Sequence, residues 1–347
     1  MADVVTATQA HSPIQSGFGF RLLNEFQREF PLIPAPYAAL AAHLGVRESE
    51  VIEALLAFQA HGTLSRVGAV FAPNSVGVST LAALHVPEPR LAHVAAVISA
   101  RREVSHNYER EGEPNLWFVI NAANDAVLDE AVRAIESETG YGPVLRLPLI
   151  EEYRIDLGFD LRGAFDTQRS ARWQPVRGPA LLTARDRGLM VALQAGLPVE
   201  RFPYLALGHS ADMQEAEVLE RLRGWIDAGV IRRFGLIVRH RELGYRANAM
   251  VVWDVPDTDV GALGQALAQQ PRVTLCYRRR RCLPDWPFNL YCMIHGRERR
   301  AVTSWLRGIE RACGLDRHPS RMLFSRARYK QRGALYFPDR ADGHPSA

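Results

Sequence analysis

The sequence is nearly free of lysine. Lys330 is the single lysine in 347 residues, so almost all of the 42 lysines and arginines are arginine. Such a bias follows from GC-rich coding, and it also supplies the side chain that grips carboxylate or phosphate with two parallel donors. Cysteine is scarce too: Cys276, Cys282, Cys292 and Cys313 all lie in the second half. Their spacing matches neither a paired zinc motif nor an iron–sulfur run, so they read as reduced thiols of a cytoplasmic protein rather than as metal ligands. No window approaches the roughly 18 uninterrupted apolar residues of a membrane span. Residues 1–20 lack the charged-then-apolar pattern of a secretory signal and read as a disordered lead-in, and residues 339–347 read as a loose tail. Against these absences, 47% hydrophobic and 23% charged residues with a net charge of +4 fit a globular chain with real cores.

What is present is a repeat. Pro36-Tyr37 in the first half matches Pro203-Tyr204 in the second, Glu50-Val51 matches Glu217-Val218, and Phe58 matches Trp225. Leu64-Ser65-Arg66-Val67-Gly68 falls on Ile231-Arg232-Arg233-Phe234-Gly235. Further on, Val104-Ser105-His106-Asn107-Tyr108 faces Val273-Thr274-Leu275-Cys276-Tyr277, Asn115-Leu116-Trp117-Phe118 faces Asn289-Leu290-Tyr291-Cys292, and Tyr153-Arg154 faces Tyr329-Lys330. Order kept over about 130 positions means duplication.

Each copy begins with two short helical runs. Val51, Leu55 and Phe58 in one, and Val218, Leu222 and Trp225 in the other, have the spacing of a buried helix face, and Gly62 or Gly229 ends the run. With a hairpin expected next, this part reads as a winged helix-turn-helix. The rest of each copy alternates strand and helix in the order β-α-β-β-α-β, a ferredoxin-like sandwich. The expected fold is therefore α+β, a tandem duplication of a winged helix-turn-helix followed by a ferredoxin-like αβ sandwich. Its expected boundaries are 21–72 and 73–162 for the first copy, a linker over 163–180, then 181–240 and 241–338 for the second.

This layout resembles the Lrp/AsnC transcription regulators, which implies DNA binding and dimerisation through the sandwich sheets. The residues argue against DNA. The helix that would enter the major groove carries Glu48, Glu50 and Glu53 in one copy and Glu215, Glu217 and Glu220 in the other, where phosphate contacts need cations or neutral donors. Arg47 is the one cation that the first of these helices offers there, and the DNA reading is carried mainly by the Arg232-Arg233 pair on the expected wing.

The segment from Leu275 to Arg300 holds seven arginines against two acids, interleaved with Tyr277, Trp286, Phe288 and Tyr291. That mixture suits a flat, aromatic, multiply anionic ligand. Together with His106-Asn107-Tyr108-Glu109-Arg110, the run Trp286-Pro287-Phe288-Asn289-Leu290 leading to Met293-Ile294-His295-Gly296, and the closing Tyr329-Lys330-Gln331-Arg332-Gly333, it resembles the siroheme decarboxylase family, in the fused two-subunit form of heme d1 biosynthesis. The resemblance spans about residues 22–338. It implies removal of the C12 and C18 acetate carboxyls of siroheme to give 12,18-didecarboxysiroheme and two CO2. No cofactor is expected, because the iron belongs to the substrate. Related decarboxylase subunits are candidate partners, and the fused halves suggest an internal pseudo-dimer that leaves a homo-oligomer open. The competing readings are a regulator of the Lrp/AsnC type and a tetrapyrrole-binding protein without chemistry.

Losing CO2 from a ring-attached acetate leaves carbanion character on the methylene, which then needs a proton. His106 is the candidate donor, with Tyr108 to position it or relay the proton and Arg110 to clamp a carboxylate; a packed strand-end histidine and core tyrosines are the rival readings. Tyr277, Arg278, Arg279, Arg281, Trp286, Asn289, His295, Tyr153, Arg154 and Lys330 are the expected substrate-binding residues. His106 or His295 is the candidate contact for the substrate's iron. The copies differ at the key position, since Leu275 stands where His106 stands in the first copy.

Overall fold

A computed structural model describes residues 17–155, 182–239 and 244–337. The expected linker 163–180, the tail and most of the lead-in lie outside the described residues. Each copy opens with three helices: α1 (Gly17–Glu25), α2 (Pro36–Leu44) and α3 (Glu48–Ala60) in the first, α6 (Ala184–Ala195), α7 (Pro203–Ala211) and α8 (Glu215–Asp227) in the second. Val51, Leu55 and Phe58 of α3, and Val218, Leu222 and Trp225 of α8, are buried as their spacing requires. The leading helix of each trio is not marked in the sequence reading. α1 begins at Gly17, inside the stretch expected as lead-in. α6 is fixed by a reciprocal cap in which Thr183 Oγ1 accepts from Asp186 N and the Asp186 carboxylate accepts from Thr183 N.

The two helical units share one core. Tyr37 of the first copy donates its hydroxyl to Pro198 O of the second at 2.8 Å, and Tyr204 of the second donates to Pro31 O of the first at 2.8 Å. The strand expected to form a hairpin within each copy pairs across the copies instead. β1 (Leu64–Phe71) and β6 (Ile231–Val238) make a two-stranded antiparallel sheet in which Gly68 faces Gly235. Among the described residues each copy supplies one such strand, and it pairs with the other copy's. Gly235 has no alternative residue, because a Cβ there would stand 2.6 Å from the backbone of Phe26 and Gln27.

The remaining elements of the first copy are β2 (Val78–Leu84), α4 (Glu88–Ala100), β3 (Val104–Arg110), β4 (Leu116–Ala122), α5 (Asp125–Thr139) and β5 (Leu145–Ile155). Those of the second are β7 (Ala247–Trp253), α9 (Val260–Ala268), β8 (Val273–Arg279), β9 (Leu290–Gly296), α10 (Arg299–Cys313) and β10 (Ser320–Gln331). The sheet orders, β3-β4-β2-β5 and β8-β9-β7-β10, are those of two ferredoxin-like sandwiches. Their edges meet. β5 pairs with β8 and β10 pairs with β3, so the eight strands close into a barrel. Closure leaves no open sheet edge among these strands. The helices pack on the outer faces. Trp117, Trp286, Phe288, Tyr291 and Leu323 form a separate apolar cluster on the inner faces. Among the described residues no helix is long and apolar enough to cross a membrane.

Candidate functional site

A cavity of about 480 Å3 opens where the barrel interior meets the β1–β6 sheet. Both copies line it, often with matched residues: Tyr108 with Tyr277, Arg110 with Arg279, Trp117 with Tyr291, and Arg66 with Arg233. Each barrel strand sends alternate side chains inward, and the duplication therefore places two versions of one surface face to face.

The charge of this lining is one-sided. Arg66, Arg110, Arg233, Arg239, Arg279 and Arg332 line the cavity, and among the described residues no aspartate or glutamate does. Backbone carbonyls hold five of these cations. Arg66 donates to Ala69 O at 3.0 Å, Arg239 to Gly62 O at 3.1 Å, Arg110 to Leu323 O at 3.2 Å and Arg279 to Leu147 O at 2.9 Å. Arg332 donates to Arg102 O. Burial lowers the guanidinium pKa of Arg66 and of Arg110 to about 10, and lowers that of Arg279. All remain charged at neutral pH. Desolvated cations whose hydrogen bonds go to neutral carbonyls favour an anionic guest.

Two histidines share the lining. His106 Nδ1 lies 2.9 Å from Ser105 Oγ, and His295 Nδ1 lies 2.8 Å from Asn248 Oδ1. Burial, aided by Arg66, lowers His106 to about 4; burial, aided by Arg110, lowers His295 to about 4. Both rings are therefore neutral at pH 7. Tyr108 stacks on His106 with ring centres 6.2 Å apart and receives the Arg110 guanidinium at 5.6 Å, while Tyr277 receives that of Arg279 at 5.2 Å. Burial pushes the Tyr277 hydroxyl well above its ordinary value, so it stays protonated.

Of the residues expected at the site, His106, Tyr108, Arg110, Tyr277, Arg279 and His295 are brought together here. The others stand outside the lining. Arg278 and Arg281 are held by Asp257, at 2.9 Å and 2.8 Å, and Arg281 also by Asp254. Asn289 clamps the Val255 backbone, accepting from its N–H at 3.0 Å and donating to its carbonyl at 2.9 Å, as Asn115 does for Val86. Trp286 sits behind the wall, its ring 5.1 Å from Trp117 and its indole N–H on Tyr291 Oη at 2.6 Å. Arg154 donates to Ala268 O and Lys330 to Ser99 O and Arg101 O, so each ties a strand to the end of a helix. The Tyr153 hydroxyl donates to Glu151 at 2.9 Å, and its ring packs against Gly264.

The sequence reading missed Arg66, Arg233, Arg239 and Arg332, together with Ser105, Asn121 and Asn248. The signal for the first pair was there, an arginine at the same place in both copies, but the wing was weighed for DNA. Arg232, its neighbour, forms a buried ion pair with Glu152. Arg332 belongs to the Tyr329–Gly333 string, which forms the end of β10 along β3 and the residues just after it and completes the cavity wall.

Comparison with known proteins agrees with this architecture. A family model for a siroheme decarboxylase NirDL-like helix-turn-helix domain matches residues 20–64 and 186–232, and one for an AsnC-like ligand binding domain matches 75–154 and 242–330. The chain is 46% identical to the siroheme decarboxylase NirDL subunit of Paracoccus denitrificans (strain Pd 1222), over 90% of this chain and 95% of that one. It is 48% identical to the siroheme decarboxylase NirD subunit of Pseudomonas aeruginosa over 42% of this chain and 95% of that subunit, so a separate subunit matches about one copy. The crystal structure of a siroheme decarboxylase NirDL superposes with a TM-score of 0.66 at 25% identity, covering 92% of this chain and 94% of that chain.

Proposed function

The chain belongs to the siroheme decarboxylase family, in its fused form, and from that premise we propose that its arginine-lined cavity holds siroheme while the C12 and C18 acetates lose CO2, giving 12,18-didecarboxysiroheme in heme d1 biosynthesis. The protein is a carboxy-lyase. The observation that carries the assignment to this cavity is its lining, which among the described residues comprises six arginines, two neutral histidines and no carboxylate. Siroheme bears eight carboxylates, and a wall of desolvated guanidinium groups binds those that stay and orients those that leave.

For each acetate the bond between the methylene and the carboxyl carbon breaks. CO2 departs, the electron pair stays on the methylene, and one proton joins it to leave a methyl group. His106 supplies that proton, and solvent restores it. By itself the ring is neutral, because burial and then Arg66 oppose its charge. The carboxylates of a bound substrate oppose Arg66 and raise the histidine toward the range of a useful acid. Tyr108, stacked on His106, holds the ring in place. Arg110 and Arg279 hold carboxylates from opposite walls. No further cofactor is called on, since the iron arrives with the substrate.

Because the copies already close into one barrel around one cavity, the fused chain is sufficient by itself. The test is anaerobic incubation of the purified chain with siroheme, followed by mass. Loss of two CO2 is the expected result. Tight binding without mass loss would leave a carrier. Activity only after a related subunit is added would overturn the sufficiency of the fused chain.

A further inference from the structure

The polar neighbours of His106 and His295 differ in a way that determines which ring nitrogen carries the proton. Asn121 Nδ2 lies 3.3 Å from Glu103 O and 2.7 Å from Ser105 Oγ. A carbonyl only accepts, so its presence fixes the orientation of this amide, and the amide nitrogen donates to the Ser105 hydroxyl oxygen. Ser105 is buried, and the acceptor near its hydroxyl hydrogen is His106 Nδ1 at 2.9 Å. Nδ1 of a neutral ring that accepts a hydrogen bond is bare, and the proton sits on Nε2.

At His295 the polarity is reversed. Asn248 Nδ2 donates to Tyr245 O at 3.0 Å, so the carbonyl again fixes the amide, this time with Oδ1 turned to His295 Nδ1 at 2.8 Å. An amide oxygen only accepts, so Nδ1 carries the proton and Nε2 holds the lone pair.

Taking the cavity as the decarboxylation site, we infer that Asn121–Ser105 and Asn248 are positioning residues that hold the neutral rings of His106 and His295 in opposite tautomers, His106 protonated at Nε2 and His295 at Nδ1. The two histidines therefore do not duplicate each other. His106 presents its Nε2–H to the cavity and delivers the decarboxylation proton only after it has gained a second proton, once the carboxylates of bound substrate favour the charged ring, whereas His295 directs its Nδ1–H to Asn248. The repeat explains how the asymmetry arose. Thr274 stands at the place of Ser105, but it donates to Met293 O and is followed by Leu275 instead of a histidine, while Asn121 stands at the place of His295. One set of positions became a donor relay in the first copy and an acceptor in the second.

The test is spectroscopic and does not depend on turnover. In the full chain labelled with 15N-histidine, two-bond proton–nitrogen spectra at pH 7.5 report each tautomer, and His106→Gln and His295→Gln assign the signals among the eleven histidines. His106 is expected with a pyridine-like Nδ1 and a pyrrole-like Nε2, and His295 with the reverse. Ser105→Ala should abolish the His106 pattern, and Ser105→Thr should keep it. Asn248→Leu should abolish the His295 pattern, and Asn248→Asp, which retains an acceptor oxygen, should keep it. In turnover, Ser105→Ala should lower kcat at least tenfold with little change in siroheme affinity, and Ser105→Thr should recover most of it. Equal tautomers in the wild-type chain, or a His106 pattern untouched by Ser105→Ala, would overturn the inference. Opposite tautomers with an unchanged kcat in Ser105→Ala would overturn the positioning role. Opposite tautomers in a chain that never decarboxylates siroheme would instead sink the functional reading on which the roles rest.

Discussion

Arg110 and Arg279 are the same position in the two copies, and each is anchored by the other copy. Arg110 donates to Leu323 O on β10, the closing strand of the second copy, and Arg279 donates to Leu147 O on β5, the closing strand of the first. Each guanidinium also lies over the tyrosine two residues before it. The strand exchange that closes the barrel is therefore what aims both cations into one cavity, and neither copy alone would orient its own.

Replacing either arginine by glutamine should weaken siroheme binding, since a charge-assisted hydrogen bond contributes about 1.5–3 kcal/mol, or roughly 10- to 100-fold in Kd. Arg110→Lys and Arg279→Lys should recover only part of this, because lysine keeps the charge and loses the paired donors. Titration of siroheme absorbance against each variant measures the effect. Unchanged Kd in both glutamine variants would move the substrate out of this cavity.

The duplication and the order of elements were legible in the sequence because hydrophobic spacing and repeated strings are local signals. Strand exchange is not local: β5 and β10 read as the last strand of their own copies, and nothing in their residues names the partner edge. The same gap misassigned the shared motifs. Arg154 and Lys330 look like site cations because both copies keep a basic residue there, yet each caps the C-terminal end of the other copy's first sandwich helix, where carbonyls favour a cation. Asn289, like Asn115, is kept for its clamp on a strand end. The residues that reach the cavity are those on the inward phase of β3, β8 and β9, and their phase follows from barrel closure. Arg66 and Arg233 escaped because their strands were expected to fold back within a copy.

His106→Ala should bind siroheme with near wild-type affinity and decarboxylate it about 10²- to 10⁴-fold more slowly, the usual contribution of a positioned proton donor. Single-turnover mass analysis under anaerobic conditions separates the two effects. Wild-type rates in this variant would remove His106 from the proton path.

The histidines also tie stability to pH. Their folded pKa values of about 4 lie below the roughly 6.5 of an unfolded chain. Between those values the unfolded state binds protons that the folded state refuses, so their contribution is fully present above pH 6.5 and is lost as pH falls toward 4. The urea midpoint should therefore be lower at pH 4.5 than at pH 7.5. The paired variant His106→Gln, His295→Gln should show a smaller difference. An identical pH dependence in that variant would mean that the two rings titrate normally.

Binding to duplex DNA should be absent at physiological salt. The first turns of α3 and α8 carry Glu48, Glu50, Glu215 and Glu217, and nearby arginines are engaged with them, Arg201 with Glu48 at 3.4 Å and Arg185 with Glu217 at 2.8 Å. The wing cations face inward, Arg232 toward Glu152 and Arg233 toward the cavity. A mobility shift that weakens steeply with salt would contradict this.

The Arg232–Glu152 pair gives the sharpest test of the link between the helical units and the barrel. Arg232 stands on β6 and Glu152 on β5, both side chains are only 8% exposed, and the second of their two hydrogen bonds is 2.6 Å long. Burial pushes the Glu152 carboxyl up, against the pull of Arg232, so the guanidinium is what keeps a charge there tolerable. Arg232→Ala leaves that carboxylate buried without its partner, which should cost about 3–5 kcal/mol. Glu152→Gln, which removes the charge and keeps the shape, should cost the chain less than Arg232→Ala does. The sign of the pH effect separates the two. In Arg232→Ala the carboxyl pKa rises further, the folded state binds a proton more readily than the unfolded state, and stability should improve as pH falls from 7 toward 5 relative to wild type. Chemical denaturation of the three proteins at both pH values decides the matter, and a loss in Arg232→Ala that is small and independent of pH would show that the contact is replaceable.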